Sequence, residues 1–144
     1  MKTILVPVDF SDVTEKVIAT ARQFAEAFRS RIVLLHVTEP EPDFVGFEPG
    51  PISVRTVVAT DFREEHQRIE ALKALVPGMD VLALQVQGPA AEKILRESET
   101  QQADLIVMGS HGHEALYHLL AGSVTSGVLK SANCPVLIVP SARR

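Results

Sequence analysis

The chain has few of the residues that would place it in several common protein classes. Its 144 residues include a single cysteine, Cys134, which excludes an internal disulfide. It has no tryptophan and one tyrosine, which argues against an aromatic platform for single-stranded nucleic acid. The formal net charge of −4 argues against a broad basic surface for nucleic acid. What remains is an ordinary globular composition, and the length predicts one domain over residues 1–144.

Long hydrophobic runs are also missing. No apolar run approaches the roughly 18 residues that a membrane-spanning helix needs. The run Ile4–Val8 near the start is too short for a secretory signal, and no small-residue cleavage site follows it. We therefore expect a cytoplasmic protein.

Short apolar runs are present instead, and they are continuous rather than alternating. Continuous runs are typical of strands that are buried on both faces of a parallel sheet. Five such runs predict five strands, at Ile4–Val8, Ile32–Val37, Val81–Leu84, Leu105–Met108 and Val136–Val139.

The gaps between these runs carry helical periodicity, which predicts alternating strands and helices and hence an α/β fold with a parallel sheet. Asp12 and Glu15 resemble a capping box at the start of the first helix. Pro89 and Ser123 are predicted to open two later helices. The predicted apolar stripes are Val13, Val17, Ala21, Phe24 and Phe28; Val58, Phe62, Ile69, Leu72 and Val76; Ala91, Ile94 and Leu95; and Val124, Val128 and Leu129. Residues 39–51, rich in proline, predict a long loop, either a binding loop or a variable surface insertion.

The residues that follow the strands are the candidates for a binding site, because ligands of open parallel sheets bind beyond the carboxyl ends of the strands. Asp9 follows the first run, and Gly109 and Gly112 flank a turn after the fourth. Gly122 and Ser123 then open a helix, whose N-terminus carries free N–H groups and a positive partial charge. These glycines predict either a phosphate cradle or ordinary tight turns.

The spacing G-x2-G-x9-G-S at these positions resembles the nucleotide-binding motif of the ATP-binding branch of the universal stress protein family. The opening ILVPVDFSD and the ending NCPVLIVP resemble the family's first strand and last strand. The resemblance runs from Lys2 to Pro140. It implies a five-stranded parallel sheet in the order 3-2-1-4-5 with helices on both faces, and ATP as the ligand, with or without Mg²⁺.

The resemblance also implies roles for individual residues. Asp9 would contact the ribose or adenosine, although an Asx turn would explain this residue without a ligand. Val8 and Val37 would line an adenine slot, and Met108 and Gly109 would close over the nucleoside. The phosphates would be held by Gly112, Gly122, Ser123, Val124 and Thr125. The remaining implied contacts are Pro7, His111 and His113. His113 and His118 stand where the resemblance leads us to expect basic residues, and the spacing of the three histidines is not that of a structural zinc site.

We therefore expect an ATP-binding regulatory or stress-response protein that acts through nucleotide occupancy. In the implied strand order, the last strand forms an apolar sheet edge, which predicts a homodimer through Val136, Leu137, Ile138 and Val139. The P-loop, the dinucleotide-binding turn and the nucleophile elbow are missing, and no catalytic base is evident. The alternatives are an interaction module of the same fold with an empty or AMP-filled site, and a weak nucleotidase.

Overall fold

A computed structural model describes residues 1–38, 63–110 and 123–140, and for Ser123 it describes the backbone only. Several predicted features lie outside the described residues. They are the loop at 39–51, the stripe positions Val58 and Phe62, and the positions His111, Gly112, His113, His118 and Gly122.

Within the described residues, five parallel strands form one sheet in the order β3-β2-β1-β4-β5. The strands are β1 (Thr3–Pro7), β2 (Arg31–Thr38), β3 (Val81–Gln87), β4 (Leu105–Gly109) and β5 (Val136–Val139). All five predicted strands are confirmed, and so is the implied order. The chain winds outward from β1 on one side and then returns to start β4 on the other. The topological switch point therefore lies between β1 and β4.

Helices connect the strands, as the periodicity predicts. They are α1 (Thr14–Phe28), α2 (residues 63–71), α3 (Ala90–Thr100) and α4 (Ser123–Ser131), and a 3₁₀ turn at Leu72–Leu75 follows α2. In the part of the chain that the structure describes, no helix has the length and apolar character needed to cross a membrane.

The helices cover both faces of the sheet, which explains why the strands are continuously apolar. Alternate strand residues point to opposite faces. One face packs with α1 and with Ile69 of α2. Its buried strand residues are Ile4, Val6, Ile32, Leu34, Ala83, Leu105, Val107 and Val139, and Val8, directly after β1, joins them. The other face packs with Ile94 of α3 and Val128 of α4, and its strand residues are Leu5, Val33, Leu35, Ile106 and Met108. Each fully buried aliphatic side chain contributes about 1.5–3 kcal/mol to folding.

The start of α1 differs from the prediction. Its N-cap is Val13, and no side chain caps the helix, so the capping box of Asp12 and Glu15 is wrong. The turn before the helix is organised by Asp9, whose Oδ1 accepts a hydrogen bond from the Ser11 N–H at 3.0 Å. Because this Asx turn already guides the chain into the helix, the Asp12 side chain stays exposed.

Smaller differences concern helix faces and bounds. Phe28 and Leu129, both placed on apolar stripes by their spacing, are 52% and 51% exposed. Phe28 is the last residue of α1, and Leu129 follows the buried Val128, from which it is rotated by about 100° around the helix. Pro89 is the N-cap of α3 rather than its first helical residue.

Candidate functional site

The sheet opens between its two central strands at the carboxyl edge. The ladder between β1 and β4 ends at the pair Leu5 and Ile106, before either strand ends. Beyond this point the Val8 N–H donates to a carbonyl of β2 at 2.8 Å, and the Ser110 N–H donates to a carbonyl of β5 at 2.9 Å. Beyond the end of their own ladder, β1 therefore stays hydrogen-bonded to β2, and β4 stays hydrogen-bonded to β5. The result is a crevice at the switch point, where open parallel sheets bind their ligands.

Asp9 forms one lip of this crevice. It directly follows the β1 extension and is exposed, and one of its oxygens holds the Asx turn to Ser11. The alternative that an Asx turn explains this residue is therefore realised in the structure. A carboxylate offers about four acceptor positions, so the turn leaves most of the acceptor capacity of Asp9 for other partners.

The opposite lip is formed by the end of β4 and the start of α4. The Thr125 hydroxyl lies near the carbonyl oxygens of Gly109 and Ser110, at 3.3 and 2.9 Å, and donates its proton there. Thr125 is 2% exposed, so this bond ties the first turn of α4 firmly to the strand end. The first N–H groups of α4, at Ser123 and Val124, have no partners within the helix, and this bond holds them at the carboxyl edge of the sheet.

The apolar residues implied for the adenine slot lie on different faces of the sheet. Val37 and Met108 belong to the face covered by α3 and α4, whereas Val8 belongs to the face covered by α1 and α2. Pro7 is the last residue of β1. All four are at or near the carboxyl edge. A base that contacts them all would have to sit across the ends of the strands rather than against one face.

A polar cluster beside the crevice was missed by the sequence analysis. It joins His36 and Thr38 of β2, Gln85 of β3 and Glu65 of α2, and the ring of Phe10 packs against His36. A partial signal was available, because His36 interrupts one predicted apolar run and Gln85 directly follows another. The structure shows that the two residues are paired in register. Glu65, by contrast, is brought next to these strand residues only by the tertiary fold, so the sequence pattern does not indicate its role.

Metal and thiol chemistry find little support among these residues. In 1–38, 63–110 and 123–140, no three His, Cys, Asp or Glu side chains are arranged to hold a metal ion. The Cys134 thiol is half-buried, and burial, with a smaller effect of the Asp104 charge, raises its pKa. A raised pKa leaves less of the reactive thiolate at neutral pH.

Comparison with known proteins agrees with this architecture. The model of the universal stress protein family matches residues 1–140. The universal stress protein in the QAH/OAS sulfhydrylase 3' region of Thermus aquaticus is 39% identical over 139 residues, covering 96% of this chain and 98% of that relative. The solved structure of MJ0577, a universal stress protein of Methanocaldococcus jannaschii, has a TM-score of 0.83 at 32% identity, covering 99% of this chain and 98% of that chain.

A universal stress protein from Archaeoglobus fulgidus, solved in complex with dAMP, shares the fold with a TM-score of 0.70 at 20% identity, over 96% of this chain and 97% of that one. The family match extends over almost the whole chain, and the sheet order is the one that the resemblance implies. The chain belongs to the universal stress protein family.

Proposed function

We propose that this protein binds ATP, with or without Mg²⁺, in the crevice between β1 and β4 and acts as a regulatory stress-response protein through nucleotide occupancy. The observation that carries the proposal is the parting of β1 and β4 between an exposed carboxylate and a helix N-terminus. A carboxylate accepts hydrogen bonds from ribose hydroxyls, and a helix N-terminus favours phosphate. The spacing of Gly109, Gly112 and Gly122 supports the same ligand.

Backbone groups are the main phosphate ligands in this proposal. The single proton of the Thr125 hydroxyl is engaged by the carbonyls of Gly109 and Ser110, so a phosphate would compete with them for it. The N–H groups of Ser123 and Val124 have no such competition within the helix, because the first N–H groups of a helix lack intrahelical partners. Gly112, Gly122, His111 and His113 remain proposed contacts from the motif.

A substitution series at Asp9 tests the proposal by calorimetric titration with ATP. Asp9→Ala removes both the Asx turn and the charge, and we expect it to weaken binding by about 1–3 kcal/mol. Asp9→Asn keeps an acceptor for the Ser11 N–H and removes only the charge, so any loss it shows belongs to the ligand contact. Gly122→Val should abolish binding in a folded protein if the glycine of the motif lies against the phosphates, because the added side chain would then occupy their place.

Asp12→Asn is the matched control, because Asp12 is an exposed aspartate three positions further along the chain. We expect it to bind ATP like the wild type. Wild-type affinity in both the Asp9→Asn and the Gly122→Val proteins would refute the assignment of the site.

The AMP-filled site is the second candidate. It is favoured by the relative of this fold solved with dAMP and by the engagement of the Thr125 hydroxyl, which leaves fewer groups for a triphosphate. Mass spectrometry of nucleotide released from the purified protein separates the two ligands. Tighter binding of AMP than of ATP in the same titrations would select the second candidate.

We further propose a homodimer through β5. In the sheet that the described residues form, this strand is an edge, and its residues Val136, Leu137 and Ile138 are only half-buried. A half-buried apolar edge is the kind of surface that soluble proteins cover, and pairing with a second copy by two-fold symmetry would cover both edges at once.

A further inference from the structure

Phe10, the residue directly after Asp9, has an unusual backbone conformation. Its φ of 62° lies in the left-handed region, where the Cβ of a side chain comes too close to the following carbonyl oxygen. In the described part of the chain, Arg29 and Gln102 are the other non-glycine residues with a positive φ. Both lie where a helix ends, which is a usual place for this conformation. Phe10 precedes a helix instead, so its conformation needs a different explanation.

The ring of Phe10 has contacts on both β2 and α2. Its centroid lies 4.4 Å from that of the His36 ring, and the Arg68 guanidinium carbon lies 4.2 Å from it. The second distance is within the range of a cation–π contact. The ring also packs against the apolar core on the face covered by α1 and α2. A strand and a helix thus hold the side chain of a residue whose backbone conformation is unfavourable by itself.

The imidazole of His36 contacts the residues on both sides of Asp9. It is buried, and its Nδ1 donates to the Val8 carbonyl oxygen at 2.9 Å, because a carbonyl oxygen only accepts hydrogen bonds. The Val8 N–H donates in turn to the Leu35 carbonyl of β2 at 2.8 Å. Since the Phe10 ring lies against the same imidazole, the chain is attached to β2 both before and after Asp9.

The conformation of Phe10 is coupled to the orientation of Asp9 by the Asx turn. In this turn Asp9 Oδ1 accepts a hydrogen bond from the Ser11 N–H, as in a β-turn whose third position is Phe10. Turns of types II and I′ have a positive φ at the third position, whereas type I has a negative φ there and a different ψ at the second position. Loss of the positive φ at Phe10 would therefore reorient Asp9.

We propose that Phe10 is a positioning residue of the nucleotide site. Its ring, held by His36 and Arg68, maintains the left-handed backbone that keeps the Asp9 carboxylate in the orientation that the ligand requires. This inference rests on the nucleotide-binding function proposed above, and it adds two residues, Phe10 and Arg68, that act through Asp9. A ring that only filled the core would affect the stability of the protein and not its affinity for a nucleotide.

The test compares Phe10→Ala with Phe10→Gly by calorimetric titration of the full chain with ATP. Both substitutions remove the whole ring, but glycine adopts the left-handed backbone freely and alanine does not. We expect about tenfold weaker binding in Phe10→Ala, the scale on which this backbone disfavours a side chain, and a loss of about threefold or less in Phe10→Gly. Because the loss of the ring is common to both variants, the difference between them belongs to the backbone.

A double-mutant cycle with Asp9→Asn shows whether Phe10 acts through the carboxylate. The asparagine keeps an acceptor for the Ser11 N–H and removes the charge. Phe10→Ala should therefore weaken ATP binding by about threefold or less in the Asp9→Asn background, against about tenfold in the wild-type background. A role of the ring in packing alone would give the same effect in both backgrounds.

Phe24→Ala is the matched control for the loss of a ring. Phe24 lies in the second half of α1 and packs against the same core as Phe10. We expect this variant to be less stable than the wild type in urea unfolding and to bind ATP with unchanged affinity.

Arg68→Gln tests the contact from α2 without changing a core residue, because Arg68 is exposed. We expect about two- to fivefold weaker ATP binding, the scale of an exposed cation–π contact. Arg96→Gln, at an exposed arginine of α3, controls for the loss of one positive charge and should bind like the wild type. If Phe10→Ala does not fold, this pair still decides, and equal affinities of the two arginine variants would overturn the inference.

Hydrogen exchange of the Ser11 amide in the nucleotide-free protein measures the turn without any ligand. We expect about tenfold faster exchange in Phe10→Ala than in the wild type and a smaller increase in Phe10→Gly, because the bond to Asp9 protects this amide. Equal losses of affinity in Phe10→Ala and Phe10→Gly, or an undiminished effect of Phe10→Ala in the Asp9→Asn background, would overturn the inference and leave the proposed function standing. A wild type that binds neither ATP nor AMP would instead refute the proposed function, and the inference with it.

Discussion

Asp104 holds the first residues of the chain against the sheet. Its Oδ2 accepts hydrogen bonds from the N–H groups of Lys2 and Thr3, at 2.7 and 3.0 Å. These two bonds, that of Lys2 first, lower the pKa of the Asp104 carboxyl below its ordinary value. The carboxylate thus satisfies donors at the start of β1 from a position directly before β4.

We expect this clamp to make folding stability depend on pH in the acid range. Because the pKa is lower in the folded state, the stabilisation is present above the ordinary aspartate value of about 3.9 and is lost as the pH falls through the lower folded value. Asp104→Asn should cost at most about 1 kcal/mol at pH 7, since the carboxylate is exposed and screened by solvent. The difference in unfolding free energy between the variant and the wild type should be smaller at pH 3 than at pH 7. Urea unfolding at both values measures it.

Asp80→Asn provides the control for the clamp, because Asp80 is an exposed aspartate that directly precedes β3 as Asp104 precedes β4. The Asp80→Asn protein should show the same dependence of unfolding free energy on pH as the wild type. If the wild type and Asp104→Asn lose stability in parallel on acidification, the clamp does not contribute.

The roles and contacts of single residues were harder to predict from the sequence than the strands and helices. The capping role of Asp12 and Glu15 was wrong because Asp9 already shapes the turn, which depends on backbone geometry that spacing does not reveal. The contact between His36 and Glu65 joins residues far apart in the chain. Such contacts depend on how α2 lies on the sheet, and apolar periodicity carries no information about that.

At the scale of elements, α3 and α4 pack closely at Gly127. A Cβ at this position would lie 2.8 Å from the Ala91 Cβ, closer than two carbon atoms can pack. In Gly127→Ala, the higher helix propensity of alanine should stabilise the protein by up to about 1 kcal/mol. The overpacking against Ala91 should destabilise it by about 1–3 kcal/mol. We expect a net loss of stability in thermal or urea unfolding.

The compensating change Ala91→Gly supplies the control for this contact. The double variant removes the clash while keeping the alanine in α4, so it should recover at least about 1 kcal/mol relative to the sum of the two single changes. Simple additivity of the two substitutions would show that the helices do not meet at this point.

The strands and helices were predictable from the sequence, because apolar runs and helical periodicity are strong signals that do not depend on individual tertiary contacts. Each continuous apolar run became a strand, because such runs are typical of strands that helices cover on both faces. The helices followed from the gaps, with bounds displaced by about a residue at Pro89. The order of the strands required the resemblance, because alternation alone does not say on which side of β1 the fourth strand is added.

For the whole molecule, the proposed dimer has a backbone-specific test. The Ile106 N–H donates to the Pro135 carbonyl, and the Ser110 N–H donates to the Val139 carbonyl. Parallel pairing alternates, so Leu137 also faces β4, whereas the N–H of Ile138 points to the open edge. Ile138→Pro should therefore give a folded monomer, because proline is tolerated where an edge N–H faces outward.

Ile138→Ala keeps the outward N–H and serves as the control that should remain dimeric. Leu137→Pro removes a bond inside the sheet and should instead lower stability. Sedimentation at about 10 μM compares the three with the wild type, within the range where a standard interface is occupied. A monomeric wild type, or a dimeric Ile138→Pro, would contradict pairing through β5.

The central place of β1 has a consequence for how the chain is made. Its partner β2 follows it closely, but its partner β4 begins only at Leu105. A nascent chain can pair β1, β2 and β3 while the other side of β1 is still bare, and at about 5–20 residues per second the remaining strands emerge seconds later. The crevice between β1 and β4 thus forms only after β4 has emerged, later than the pairing of β1, β2 and β3. A ligand held there can stabilise the finished domain but cannot help the half-synthesised one to fold.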